Sequence, residues 1–293
     1  MPSEASGVRD VSEPEALTVS GHDGVPLRVW RHAGDGPPLL LTHCTGGLAR
    51  LWDPLIPKLR PHFQVYAMDS RGHGASGQPQ APEAYAWSHS GHDVLAVIDA
   101  LGLGSGLQAA GHSAGAAHLG YASWLRPGTF SRVVLIDAII GPAAAFQGPN
   151  PLAESARRRR NVFVSVEEAR ERFSAKPPMS RWAAPVLEAY LEHGLQPHPD
   201  GVALRLPGNV EAWVYEHGGS CDLFEALDQL QLDALLLTGD QSNVRPLISM
   251  QRERIANAQL HTLPGVSHFI PQEAPEETAQ ILLAWLREHR LPA

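Results

Sequence analysis

Cysteine, long apolar runs and positive charge are scarce in this 293-residue chain. Its two cysteines, Cys44 and Cys221, are too few for a disulfide framework, which fits a reducing compartment. The net charge of −8 disfavours nucleic acid and anionic lipid as partners, and the one basic block, residues 157–160, is typical of a solvated helix face. No apolar run approaches the ~20 residues of a membrane span, and residues 1–16 lack the apolar core of a signal peptide. The sequence therefore predicts a soluble cytoplasmic protein, monomeric or homodimeric.

What the chain does contain is enough apolar material for one large core. A hydrophobic content of 43% over this length favours one domain with an inserted lid over two independent domains. Strand-like and helix-like segments alternate, which predicts an α/β architecture with a mostly parallel, doubly wound sheet and ligands at the carboxyl ends of its strands. Prolines break this pattern between residues 141 and 227. We expect residues 141–227 to form a helical cap, and residues 1–140 and 228–293 to form the core.

The most specific motif is Gly-His-Ser-Ala-Gly at residues 111–115. It follows an apolar strand-like segment and opens a helical one, and this order is typical of a nucleophile elbow. Gly111 and Gly115 leave room for the sharp turn. The serine also lies at the mouth of a helix whose N–H groups can stabilise negative charge. The motif predicts that Ser113 is a nucleophile.

A serine nucleophile needs a base to take its proton, and one of the 15 histidines stands apart. His268 follows an apolar segment, residues 259–263, that we interpret as a late strand. It precedes the acidic, proline-marked start of a C-terminal helix. A histidine in the loop after the last strand can reach a serine on a central strand, so we expect His268 to be the base.

Two further segments extend this pattern to a family resemblance. Residues 39–47, LLLTHCTGG, resemble the His-Gly-x loop of the α/β-hydrolase superfamily, and residues 68–76, MDSRGHGAS, resemble its D-x-R-G-x-G-x-S turn. With the elbow and the histidine loop, four motifs occur in the family's order, and the resemblance covers nearly the whole chain. It implies an α/β-hydrolase fold with an eight-stranded sheet and an inserted helical cap. It also implies an oxyanion hole formed by the N–H groups of Thr45 and Ala114, although Cys44 stands where the family usually has glycine.

The carboxylate that would orient His268 has two candidates. In most of the family this acid comes three residues after a glycine that follows the seventh strand, but here the third residue past Gly239 is Ser242, and Asp240 is only one residue past it. A branch that includes one class of haloalkane dehalogenases carries the acid after the sixth strand, where this chain has Asp137. Asp137 ends an apolar strand, where an unpaired charge would be costly. We favour Asp137, with Asp240 as the alternative.

Together these residues predict a serine hydrolase that cleaves a carboxylic ester of a small to medium-sized, largely apolar substrate through an acyl-enzyme. The same residues would serve a carbon–carbon hydrolase, a lactonase or an acyl-transferring or cyclising enzyme. A low-turnover ligand-binding protein of the same fold also stays open. No dinucleotide or phosphate-binding motif is present, so no cofactor is expected. His89 and His92 lie three apart on a predicted helix without a third ligand, so no metal site is expected either.

Overall fold

The computed structural model describes residues 13–288. Residues 1–12 and 289–293 lie outside this range. They are the outer ends of the two expected core segments, and residues 1–12 are also most of the stretch, residues 1–16, in which a signal peptide was not expected. The strands are β1 (Glu15–Ser20), β2 (Pro26–His32), β3 (Pro38–Thr42), β4 (Gln64–Met68), β5 (Leu107–His112), β6 (Phe130–Ile136), β7 (Val162–Phe163), β8 (Leu195–His198), β9 (Gly201–Leu204), β10 (Asp233–Gly239) and β11 (Ala258–Leu263).

The chain also has eleven α-helices within its described residues. They are α1 (Ile56–Leu59), α2 (Trp87–Ala100), α3 (Ala114–Leu125), α4 (Pro151–Arg158), α5 (Val166–Ser174), α6 (Ala184–Gly194), α7 (Gly208–His217), α8 (Cys221–Glu225), α9 (Arg245–Arg254), α10 (Ile270–Glu273) and α11 (Pro275–Glu288). Within the described chain, none of these helices has the length and apolar character that crossing a membrane requires.

Eight of the strands form one sheet in the order β1-β2-β4-β3-β5-β6-β10-β11. The pairs β1–β2 and β2–β4 are antiparallel, and all the others are parallel. The predicted α/β-hydrolase fold with a mostly parallel, doubly wound sheet is confirmed. Strand β5 lies near the middle of the sheet, so the residue that follows it emerges at the centre of the carboxyl edge.

Helices cover both faces of the sheet, because the parallel strands are apolar on both sides. Successive strand residues point to opposite faces: Ala109 packs with α2 and α3 on one face, and Ala110 packs with α1 and α11 on the other. Helix α2 begins at Trp87. Gly91 in its N-terminal part lies against Tyr121 of α3, where a Cβ would come within 2.4 Å of the tyrosine Cβ.

The segment between β6 and β10 is less purely helical than expected. It carries α4 to α8, but β7, β8 and β9 form a separate antiparallel sheet in the order β7-β9-β8. The β8–β9 hairpin turns at Pro199-Asp200-Gly201, a turn signal present in the sequence. Helix α8 packs its Leu223 and Phe224 into the core cluster that lies on the α2 and α3 face of the sheet. The cap boundaries at 141 and 227 stay a prediction.

A buried ion pair joins the turn after β4 to helix α2. Arg71 Nε donates to Asp93 Oδ2 at 2.7 Å and Nη2 donates to Oδ1 at 2.8 Å, with both side chains at most 2% exposed. Asp93 also accepts from the backbone N–H of His22, and Arg71 donates to the carbonyl of Ala84. Both charges are therefore hydrogen-bonded as well as paired, which is the condition for burying them.

We expect Asp93→Asn to lower the free energy of unfolding by about 3–5 kcal/mol, because it leaves the Arg71 charge buried and unpaired. The matched control is Asp99→Asn on the same helix, where an exposed Arg126 makes the same two-bonded pair and the expected loss is under about 1 kcal/mol. Urea unfolding followed by circular dichroism measures both values. Equal losses in the two variants would contradict the prediction.

Candidate active site

Ser113 lies between the end of β5 and the first turn of α3. Its φ of 57° and ψ of −116° are rare for a residue with a side chain, and such strain is found preferentially at functional sites. Strand and helix meet closely here. A Cβ on Gly111 would come within 2.6 Å of Thr42 Oγ1, and one on Gly115 within 2.6 Å of the His43 carbonyl oxygen. Both glycines are needed to make the turn.

The structure brings Ser113, His268 and Asp137 into one hydrogen-bonded chain. His268 Nδ1 lies 2.7 Å from Asp137 Oδ2, and His268 Nε2 lies 2.9 Å from Ser113 Oγ. Because a carboxylate only accepts, Nδ1 carries the ring proton and Nε2 is free to accept from the serine hydroxyl. Asp137 has no exposed surface, whereas the His268 side chain is 19% exposed. The geometry suits proton transfer from serine to imidazole.

The carboxylate of Asp137 accepts two further hydrogen bonds besides that from His268. Thr238 Oγ1 donates to Oδ1 at 2.6 Å and Ser242 Oγ donates to Oδ2 at 2.5 Å. Asp137 itself has a positive φ of 46°, and its N–H donates to the Leu237 carbonyl. Three donors therefore surround this buried carboxylate, and both of its oxygens are hydrogen-bonded. Ser242 stands where most of the family carries the acid, and it contributes a donor instead.

Asp240, the alternative acid, is placed differently. Its side chain is exposed and accepts from the backbone N–H of Gly265 at 2.8 Å. Among the described residues it makes no hydrogen bond to His268. Its contact stabilises the loop that leads from β11 to His268.

His112 holds the loop that carries His268 by a hydrogen bond to its backbone. Its Nε2 donates to the His268 carbonyl oxygen at 2.8 Å. Complete burial lowers the pKa of His112 well below its usual value, so the ring is neutral at pH 7. A neutral His112 adds no second positive charge beside His268.

The two predicted oxyanion-hole amides belong to neighbouring segments. Ala114 is the first residue of α3, whose first N–H groups have no acceptor within the helix. Thr45 lies in the loop after β3, where the next amide, that of Gly46, donates to His73 Nε2 at 3.2 Å. His73 Nδ1 in turn donates to the Arg71 carbonyl. The turn after β4 therefore orients the Thr45 loop.

Burial keeps the two histidines beneath this loop neutral. It lowers the pKa of His73 to about 3 and that of His43 to about 4. His43 Nδ1 donates to the Cys44 carbonyl, and its Nε2 accepts from Ser70 N–H. Cys44 itself is buried, and burial raises the pKa of its thiol to about 12. It is a thiol at neutral pH and a poor competitor to Ser113 as nucleophile.

A polar cluster beside the Thr45 loop is not predicted by the sequence. Arg159 Nη1 pairs with Glu211 Oε2 at 2.5 Å, and Tyr215 stands 3.5 Å from Glu211 Oε1. A Cβ on Gly46 would come within 2.9 Å of Glu211 Oε1, and burial raises the pKa of Glu211. Residues 157–160 were expected to form a solvated helix face. Arg159 departs from that expectation, because it pairs with the buried Glu211. No local pattern separates it from its neighbours, because Glu211 lies on another helix.

The segment that carries this cluster is also tied to the His268 loop. Trp182 packs near Phe269, with ring centroids 5.8 Å apart, and Ala183 N–H donates to the Gln272 carbonyl. Arg181 pairs with Glu273 at 2.9 Å. Residues 181–183 of the segment between β6 and β10 therefore help to hold the histidine loop.

We expect Asp137→Asn to slow the reaction of Ser113 with a fluorophosphonate by roughly 10⁴-fold, because an amide cannot hold the Nδ1-protonated tautomer of His268. Asp240→Asn is the matched control, since its amide oxygen can still accept from Gly265, and its rate should stay within about threefold of the parent. Time-resolved labelling followed by mass spectrometry gives both rates. The reverse order would identify Asp240 as the acid.

Several known proteins are similar to this chain in sequence and in fold. A family model described as "Alpha/beta hydrolase family" matches residues 39–281. The (E)-2-((N-methylformamido)methylene)succinate hydrolase of Acinetobacter baylyi is 22% identical, over 86% of this chain and 91% of that protein. The bifunctional esterase/perhydrolase DCH of Acinetobacter calcoaceticus is 26% identical, over 86% and 92%. A solved structure of E-2-(acetamidomethylene)succinate hydrolase superposes with a TM-score of 0.79 at 20% identity, over 93% of this chain and 99% of that one.

Proposed function

The chain belongs to the alpha/beta hydrolase family, and from this premise we propose that it is a serine hydrolase that cleaves a carboxylic ester of a small molecule through an acyl-enzyme on Ser113. The observation that carries the proposal is the unbroken chain from Ser113 Oγ through His268 to the buried carboxylate of Asp137. An esterase among the relatives supports the choice of an ester.

In the proposed mechanism His268 Nε2 takes the proton of Ser113 Oγ as the oxygen attacks the ester carbonyl carbon. Charge develops on the carbonyl oxygen, where the N–H groups of Thr45 and Ala114 would contribute about 3 kcal/mol each to lowering the barrier. The protonated imidazole, stabilised by Asp137, then gives its proton to the departing alkoxide. Water attacks the acyl-enzyme with His268 again as base, which releases the carboxylic acid and restores the serine.

A polar or anionic group on the acyl chain suits this site better than the largely apolar substrate expected from the sequence. Arg159 pairs with Glu211, whose carboxylate lies beside Gly46 in the Thr45 loop. Nε of Arg159 is buried without a hydrogen-bond partner among residues 13–288. A substrate carboxylate or carbonyl could accept from this donor. Two hydrolases similar to this chain are named for substituted succinates, which carry carboxylates. We propose an ester whose acyl group ends in a carboxylate.

Ser113→Ala should abolish ester hydrolysis, with kcat/KM falling by about 10⁶-fold, because no other hydroxyl lies at the elbow. The fold should survive, since alanine fits the same turn, and thermal unfolding should show the parent transition. Ser123→Ala is the control and should retain activity, because this serine lies on α3 with a buried hydroxyl that has no hydrogen-bond partner among the described residues. Substantial turnover by the Ser113 variant would refute an acyl-serine mechanism.

The substrate proposal is tested with two aryl esters of equal acyl length, 4-nitrophenyl butyrate and 4-nitrophenyl hydrogen succinate. We expect at least a tenfold higher kcat/KM for the succinate ester, the size of one charge-assisted contact. The double variant Arg159→Met/Glu211→Gln removes both charges, so neither is left unpaired, and should equalise the two esters. Arg158→Met, at an exposed arginine whose ion-pair partner within residues 13–288 is Glu154, should leave the ratio unchanged. A native preference for butyrate would refute the carboxylate while leaving ester hydrolysis intact.

A further inference from the structure

Three histidines and an aspartate meet where the turn between β1 and β2 packs against helix α2. His22 and Asp23 lie in the 3₁₀ turn His22–Gly24, and His89 and His92 lie on α2. One ligand atom each from His22, Asp23 and His89 lie within 4.8 Å of one another. The His22 ring lies 5.0 Å from that of His89 and stacks on that of His92 at 4.7 Å. We propose that His22, Asp23 and His89 bind a divalent transition-metal ion, with Zn²⁺ the best fit.

The ligand types and spacing suit this ion. Imidazole nitrogen and carboxylate oxygen are ordinary zinc ligands, with bonds of about 2.0–2.2 Å. Two ligands of a tetrahedral ion at such bond lengths stand about 3.3 Å apart. His22 Nε2 and Asp23 Oδ2 are 3.3 Å apart already. The three ligand atoms lie within 4.8 Å of one another, so His89 needs to approach by at most about 1.5 Å, which a rotamer adjustment on a half-buried helix surface allows.

The turn that carries two of the ligands is held in place from beneath. Asp93 accepts from the His22 N–H at 2.8 Å, and Arg71 donates to the His22 carbonyl at 3.3 Å. The buried Arg71–Asp93 pair therefore anchors the backbone of His22 from both sides. Asp23 adopts φ 56° and ψ 24°, a left-handed conformation that costs a non-glycine residue about 1 kcal/mol. The strained residue is the one that supplies the carboxylate.

A second observation points to a missing ligand at the same place. Nδ1 of His89 is shielded from solvent and has no hydrogen-bond partner among the described residues. An orphaned polar nitrogen is costly, and a bound cation would satisfy it. His92 or water would complete the coordination.

The proposed ion would join the edge hairpin β1–β2 to α2, and its role is structural. Ser113 follows β5, which is separated from β2 by β4 and β3 in the sheet order. The expectation of no metal site depended on the lack of a third ligand near His89 and His92 in the sequence. The fold supplies that ligand from a turn far upstream.

The experiment is a titration of the untagged, chelator-treated full chain with ZnCl₂ by calorimetry, and with CoCl₂ by visible absorption, which reports tetrahedral coordination. We expect one ion per chain with a micromolar or lower Kd, and a rise in the unfolding temperature at saturating Zn²⁺. His22→Gln and His89→Gln should each weaken binding at least tenfold, as removal of a ligand does. His261→Gln, at a half-exposed histidine on the opposite edge strand β11, is the matched control and should leave Kd unchanged.

The variants should fold, because all four side chains of the cluster reach the surface. Circular dichroism of each variant checks this. Absence of a one-to-one site would overturn the proposal. So would an equal loss of affinity in His22→Gln and His261→Gln, because it would indicate scattered binding to surface histidines. Ester hydrolysis should be the same in all three variants, which separates this test from that of the proposed function.

Discussion

A fully buried carboxylate at the end of β6 is the constraint around which the carboxyl edge of the sheet is built. An ionised Asp137 away from water is tolerable only if its oxygens are hydrogen-bonded. Thr238 and Ser242 supply two of the donors and His268 supplies the third. These donors come from β10, from the loop after β10 and from the loop after β11. Satisfying one charge therefore fixes the relative positions of three segments and points the His268 ring at Ser113.

The same balance of hydrogen-bond donors and acceptors explains why an aspartate at position 137 goes together with a serine at position 242. Nδ1 of His268 can donate only one proton, and a second carboxylate at position 242 would repel Asp137 across the space that they share. With serine at 242 the site has one acceptor group and several donors. Asp240 faces solvent and holds the backbone of the histidine loop through Gly265. The two aspartates that look alike in the sequence thus have different physical tasks.

Two buried, neutral histidines, His43 and His73, also join separate loops by hydrogen bonds. His43 and His73 each use one ring nitrogen to donate and the other to accept, and in this way they join the loops after β3 and β4. Their low pKa values keep positive charge out of the core. Glu211 and Arg159 approach the same loop from the segment between β6 and β10. Charge at this end of the site is therefore paired.

Sequence alone determined the fold class, the elbow at Ser113 and the candidate loop of His268, because short-range steric rules and motif order are local properties of a chain. It also narrowed the acid to two aspartates. Only the tertiary structure decided which of them meets His268, since hydrogen bonds across strands depend on the sheet order. The pairing of Arg159 with Glu211, and of His22 with His89, was hidden for the same reason: these partners are far apart in the sequence and become neighbours only when packing brings their helices and turns together.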